Sequence, residues 1–257
     1  MRPHSLLLRL LPRSWASVFC SLVLLTELLL ALQHTPPPPL VLSVQGGIAL
    51  GLGSAELFDG YRQATGLRAN EYGVPIVPRA SVAVEIGRLR FGVDGSYIRA
   101  ESRETGSPTG ATATTLDEML VLQLVPVLTT FEWEPWQQQF RTFLRGGVGA
   151  TFARFQWNER IWNNGILVRD GTRSDKRVVV PAMCIGAGVN LLFDKHHIAP
   201  VRGGLTIAME YLLSPVRVEA LRSYAALYDR PKWNEPINVG GSGLVLTLGV
   251  RFWLGNP

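Results

Sequence analysis

A chain of 257 residues makes one large domain or two small ones, and 26 glycines with only 18% charged residues and no long helical pattern is the composition of a sheet that closes on itself. The net charge of +5 is small, scattered and partly carried by Arg2, Arg9 and Arg13, so it argues against a nucleic-acid partner. Two cysteines, Cys20 and Cys184, the first inside a targeting segment, exclude a disulfide framework and a cysteine metal cluster.

Residues 1–35 read as an address. Arg2, Arg9 and Arg13 precede an apolar run over residues 15–32, the order of an export signal. The run approaches the length of a spanning helix, so an uncleaved hydrophobic segment is the alternative. Glu27 within it counts against a stable span, because a central carboxylate costs roughly 2.5–3.5 kcal/mol on insertion scales. A proline-rich spacer, residues 36–42, follows; its prolines cannot continue a helix.

Eight segments then alternate with a period of two, the mark of a strand with two unlike faces. In the first, residues 43–53, Val44, Ile48, Leu50 and Leu52 share one face and Ser43, Gln45, Gly47 and Ala49 the other. The second and third, residues 79–86 and 89–97, form a hairpin across Gly87-Arg88. They set Val82, Val84, Phe91, Val93 and Tyr97 against Arg79, Glu85, Arg90 and Asp94. The fourth, residues 116–130, is the least regular. Leu116, Leu120, Leu122, Leu124 and Leu128 line one face, and Val121, Val125 and Val127 stand beside Asp117 on the other. Pro126 has no amide hydrogen to give a ladder, which places it near a sheet end or a bulge.

The fifth segment, residues 139–151, sets Phe140, Leu144 and Val148 against Arg141, Phe143 and Arg145. The sixth, residues 177–193, sets Val179, Met183, Ile185, Val189 and Phe193 against Cys184, Gly186, Gly188 and Asn190. The seventh, residues 201–213, sets Leu205, Ile207, Met209 and Tyr211 against Arg202, Thr206 and Glu210. The last, residues 241–254, is the cleanest. Leu244, Leu246, Leu248, Val250, Phe252 and Leu254 alternate with Val245, Thr247, Gly249, Arg251 and Trp253.

The connections alternate as well. Residues 87–88, 131–138 and 194–200 are short links, whereas 54–78, 100–115, 154–176 and 214–240 are long. Long loops on one rim and short turns on the other are expected of an outer-membrane barrel, and an even strand count returns both ends to the short-turn side. Aromatic residues fit two interfacial girdles. Phe131, Trp133, Trp136, Phe140, Phe193 and Phe252 fall at the short-turn rim, and Tyr97, Phe152, Phe155 and Tyr211 at the long-loop rim. A soluble lipocalin-like barrel is the rival fold; it would turn the apolar face inward.

In this pattern the chain resembles the eight-stranded outer-membrane barrels of the OmpA/OmpX type. The resemblance covers residues 43–254 and rests on topology, not on a residue motif. It implies an all-β, up-and-down transmembrane barrel in a Gram-negative-type envelope, among outer-membrane lipids. It also implies recognition by the barrel assembly machinery through the C-terminal strand, whose alternation ends in Phe252. Gly255, Asn256 and Pro257 follow where that class commonly stops at an aromatic residue.

The opposite, lumen face collects Arg79, Glu85, Arg90, Asp94, Asp117, Arg141, Arg145, Arg202, Glu210 and Arg251. Eight strands enclose a space that side chains can fill, so these charges must pair, with lumen glycines such as Gly92, Gly147, Gly149, Gly186 and Gly188 making room for arginine. Two functions follow from that face: a salt-bridged plug in a barrel of envelope-structural or surface-interaction role, or a small passive, porin-like channel along the same charges. No catalytic set is evident. His4 and His34 lie in or beside the export segment, and His196-His197 sit in a short turn without a third ligand, so neither an enzyme nor a metal or cofactor is expected. Residues 155–162 and 224–233 mix aromatics and charge on the long loops and suit an extracellular ligand or surface. A monomer is the expected state.

Overall fold

The computed structural model describes residues 39–65, 67, 71–107, 113–136, 140–193, 201–219 and 236–255. The export segment, Pro36 to Pro38, the His196-His197 turn and the 224–233 stretch lie outside the described residues.

The strands are β1 (Leu40–Leu50), β2 (Arg79–Ile86), β3 (Leu89–Ser96), β4 (Ile98–Gly106), β5 (Thr114–Trp133), β6 (Phe140–Asn163), β7 (Ile166–Leu192), β8 (Val201–Leu213), β9 (Val216–Val218), β10 (Ile237–Gly240) and β11 (Gly243–Leu254). One helix, α1 (Ala55–Thr65), lies between β1 and β2. All pairings are antiparallel, and eight strands form a ring in the order β1-β2-β3-β5-β6-β7-β8-β11. The ring closes where β11 meets β1, from Leu40 opposite Leu254 to Leu50 opposite Leu244. The chain is a closed eight-stranded barrel.

The eight expected segments are the eight wall strands, but their ends move. β1 begins at Leu40, inside the expected spacer, and stops at Leu50. Gly51 then takes a φ of +67°, a conformation glycine adopts without strain, and the chain turns. Leu52 is thereby rotated off the outer face and buried in the core. On the long-loop rim the strands continue far past the expected edge. β4 carries on the course of β3, and β6 and β7 run on to a two-residue turn at Asn164-Gly165, where φ values of +50° and +76° suit the right-handed twist of a hairpin. Residues 154–176, expected as a loop, are therefore mostly wall.

Pro126 lies in the middle of β5, not at a sheet end. Its neighbours explain this. The β3–β5 ladder ends at Gly95 opposite Val127, and the β4–β5 ladder starts at Ile98 opposite Leu124. The proline thus sits at the break between two ladders, where no donor is required of it, and the freed Tyr97 amide donates instead to the Pro78 carbonyl at 3.1 Å.

Inward glycines let the wall curl. A methyl at Gly149 would lie 2.1 Å from the Val127 carbonyl oxygen, and one at Gly92 would lie 2.4 Å from that of Val82, so backbone meets them there. At Gly186 it is the Met209 carbonyl oxygen together with the Glu210 side chain, at Gly188 the Phe143 ring and at Gly147 the Cys184 sulfur. The space serves strand approach and these neighbours, not arginine as expected. Gly149→Ala should therefore cost about 1–3 kcal/mol by overpacking, whereas Gly171→Ala, with open space around it, should leave the urea midpoint of the detergent-folded protein unchanged.

Candidate functional site

The outer surface is the first element of the site. Between the rims, no outward-facing wall position among the described residues is charged, and large apolar side chains stand open: Val44, Val148, Ile185, Ile207 and Leu248 are 56–72% exposed. β6 from Phe140 to Phe152 advances about 40 Å along its own axis. A tilt of 35–45° reduces that to about 30 Å of height, close to the apolar band of a membrane barrel. The girdle residues bound this band. Tyr97, Phe152 and Tyr211 at one rim, and Phe131, Trp133, Trp136, Phe140, Phe193 and Phe252 at the other, are all exposed. Phe155 is not among them; it is fully buried and points into the barrel. A lipocalin-like facing is excluded, since water cannot cover such a belt at tolerable cost.

The lower half of the lumen holds a network of charges. Arg79 donates through Nη1 and Nη2 to both Glu210 oxygens at 2.8 and 2.9 Å, and through Nε to Asp94 at 2.7 Å. Arg145 lies 3.1 Å from Asp94, 3.3 Å from Glu132 and 3.4 Å from Glu210. Arg251 spans both Glu132 oxygens at 2.9 and 3.1 Å and stacks over the Phe143 ring at 5.2 Å. Arg90 reaches Glu85 at 2.8 Å, Glu132 at 2.6 Å and, by a short bond, Glu134; its guanidinium lies 5.6 Å from the Trp253 ring. Arg141 approaches Glu85 and Glu134 at 3.5 and 3.6 Å. Asn190 donates to Glu134 at 2.9 Å and Trp253 to Glu85 at 2.8 Å. Arg202 lies at the lower end, around the small cavity that Glu85, Arg141 and Trp253 also line.

Asp117 stands apart from the other expected lumen charges. It is on the outward face of β5, above the apolar band, and accepts from Arg103 at 2.9 and 2.7 Å. The reason is phase. β5 turns its even positions inward, so Glu118 is buried and Asp117 is not in the lumen. The same phase places Glu132 and Glu134 inside, and sequence reasoning missed both by treating residues 131–138 as a turn. A signal was present: Phe131 and Trp133 as outward girdle residues require Glu132 between them to face inward.

The upper half of the barrel is mainly apolar, with Glu118 and Glu159 as buried carboxylates on the inward faces of β5 and β6. Leu120, Leu122, Leu124, Phe155, Trp157, Ala182 and Leu212 form one buried cluster. α1 joins it from the connection expected to be a loop. Ser54 accepts the first helical bond from the Phe58 amide, and Leu57 and Tyr61, one turn apart, turn inward, with Tyr61 6.0 Å from the Trp157 ring. Val216 and Val218 of β9 and Ile237 and Val239 of β10 complete the layer.

No family model matches the sequence, and no curated protein matches it. Solved structures of similar architecture include Neisserial surface protein A, 14% identical with a TM-score of 0.38 over 85% of this chain and 98% of that one. OprG from Pseudomonas aeruginosa, an outer membrane protein, is 11% identical with a TM-score of 0.47, over 87% and 99%. Ail, the attachment invasion locus protein of Yersinia pestis, is 13% identical with a TM-score of 0.33, over 83% and 98%. The architecture of this chain rests on its own ladders.

The network sets a stability test. Glu132→Gln leaves Arg90, Arg145 and Arg251 short of one counter-charge in a water-poor lumen, and removing one partner of a buried pair costs about 3–5 kcal/mol. Urea unfolding in detergent micelles should register a loss of that size.

Proposed function

We propose that this protein is a non-enzymatic outer-membrane barrel of envelope-structural and surface-interaction role, inserted as a monomer by the barrel assembly machinery through β11. One observation carries the choice over a passive channel: the lumen is stopped twice. The ion-paired layer fills its lower half, and the apolar layer with α1 fills its upper half. An ion crossing the upper layer would shed much of its hydration among tightly packed leucines and aromatics that adjoin the buried carboxylates of Glu118 and Glu159.

The wall beyond the apolar band supports the surface role. The β6–β7 hairpin ends with Ile166, Leu167 and Val168 at 48–69% exposure, an apolar tip held well clear of the belt. Tips of this kind bind other surfaces, and a rigid ladder presents them at low entropic cost.

Planar bilayers test the closed lumen. Wild type and Arg145→Gln should both be silent, because weakening the lower layer leaves the upper one in place. Steady conductance from the wild type would favour the channel. Topology is tested separately with an epitope inserted between Asn164 and Gly165. It should be detected on intact cells, and detection only after the outer membrane is opened would invert the barrel.

A further inference from the structure

One row of arginines borders the apolar belt on the long-loop side. Val125, Phe152 and Val179 stand opposite one another across β5, β6 and β7 as the last apolar row. The next outward row, two residues further along each strand, is Arg99, Gln123, Arg154 and Arg177, again in direct register across β4, β5, β6 and β7. Two residues amount to about 7 Å. Among the described residues, the outward strand positions at the opposite rim are apolar or aromatic, such as Leu40, Trp133, Phe140 and Val201.

Arg154 and Arg177 are direct cross-strand partners, an arrangement of like charges that disfavours pairing unless an anion lies between them. Asp175 is the carboxylate nearby. It accepts from Arg154 Nε and Nη2 at 2.8 and 2.6 Å, using one edge of the guanidinium. One carboxylate against two guanidinium groups leaves positive charge in excess. Arg99 is half-exposed and pairs with Glu101 at 2.5 Å, while Arg154 keeps about a third of its side chain open. Both acids stand one row further from the belt, so the arginines are the first charged groups met on leaving the apolar zone.

On the reading of the belt as lipid-facing, we propose that the row Arg99, Arg154 and Arg177 binds phosphate groups on the headgroups of the outer-leaflet lipid. The chemistry fits. Guanidinium groups pair with phosphate oxygens in forked geometry, and a headgroup phosphate lies where hydrocarbon gives way to water. The phosphate also supplies the second anion that the Arg154–Arg177 pair lacks.

The test uses the full chain in phosphatidylcholine vesicles doped with bis-phosphorylated lipid A or with its dephosphorylated form. Flotation establishes insertion, and native mass spectrometry after mild detergent extraction counts the retained lipid. Wild type should retain the phosphorylated form about tenfold over the other, given roughly fivefold per basic residue near an anionic surface and the partial screening by Asp175 and Glu101. R99Q/R154Q/R177Q should float normally and lose the preference. Arg177→Gln alone, which keeps the Arg154–Asp175 pair, covers the case in which the triple variant fails to insert, and it should lower the preference severalfold. Arg160→Gln, further from the belt, should keep it. A wild type that floats without preference overturns the proposal and spares the membrane reading; a wild type that does not float overturns both. Excess inorganic phosphate that strips the lipid as fully as the substitutions do would reassign the row to soluble anions.

Discussion

Glu132 is the point through which the lower barrel is tied together. Its two oxygens receive Arg90 from β3, Arg145 from β6 and Arg251 from β11, three strands that do not follow one another in the wall. The constraint behind this is space. Eight strands leave a lumen that side chains fill, so a charge there has protein, not water, for its solvent. Arginine suits that demand, since its planar fork meets two carboxylates at once and its face stacks on an aromatic ring, as Arg251 does on Phe143 and Arg90 on Trp253. Arg79, Arg90, Arg141, Arg145 and Arg251 pair with Glu85, Asp94, Glu132, Glu134 and Glu210 in one layer, and Arg202 adds a sixth cation at its lower end.

The upper half answers the same constraint differently. Past the girdle of Tyr97, Phe152 and Tyr211 the outer face meets water, so it carries Arg103, Asp117, Arg154 and Asp175 in exposed pairs. Hydrogen bonds from Arg103 hold the Asp117 carboxyl below its usual range, and those from Arg154 do the same for Asp175. The inner face takes over the apolar burden, closed above by α1 and the β9–β10 pair. A single strand therefore changes sides. β5 is apolar outward at Phe131, Trp133, Val127 and Val125, and apolar inward at Leu124, Leu122, Leu120 and Leu116. β6 repeats the exchange, from Leu144, Val148 and Phe152 outside to Phe155 and Trp157 inside.

That exchange explains why the fourth segment looked irregular in the sequence. The alternation there is intact; what changes is the solvent on each side of it. Reading one face as apolar throughout placed Asp117 in the lumen, because a period of two says which residues share a face and nothing about which face meets lipid. Reading residues 154–176 as a loop, and not as wall, placed Phe155 in a girdle.

The sequence by itself determined the strand count, the closing strand and the facing of the wall residues within the lipid belt except on β5, where Val125 and Val127 face outward and Leu124 and Leu128 inward, because lipid on one side and paired charge on the other impose opposite chemistries on alternate positions. It also determined most of the charged layer, since Arg79, Arg90, Arg145, Glu210 and Arg251 interrupt otherwise apolar strands. Only the tertiary structure decided how far β4 to β7 rise, that Glu134 enters the layer beyond the end of β5, and that α1 and an apolar cluster stop the upper lumen. Those features depend on partners distant in the chain, such as Tyr61 on Trp157 or Tyr72 donating to the Val239 carbonyl at 3.2 Å. Local periodicity carries no record of contacts that form only when the wall has closed.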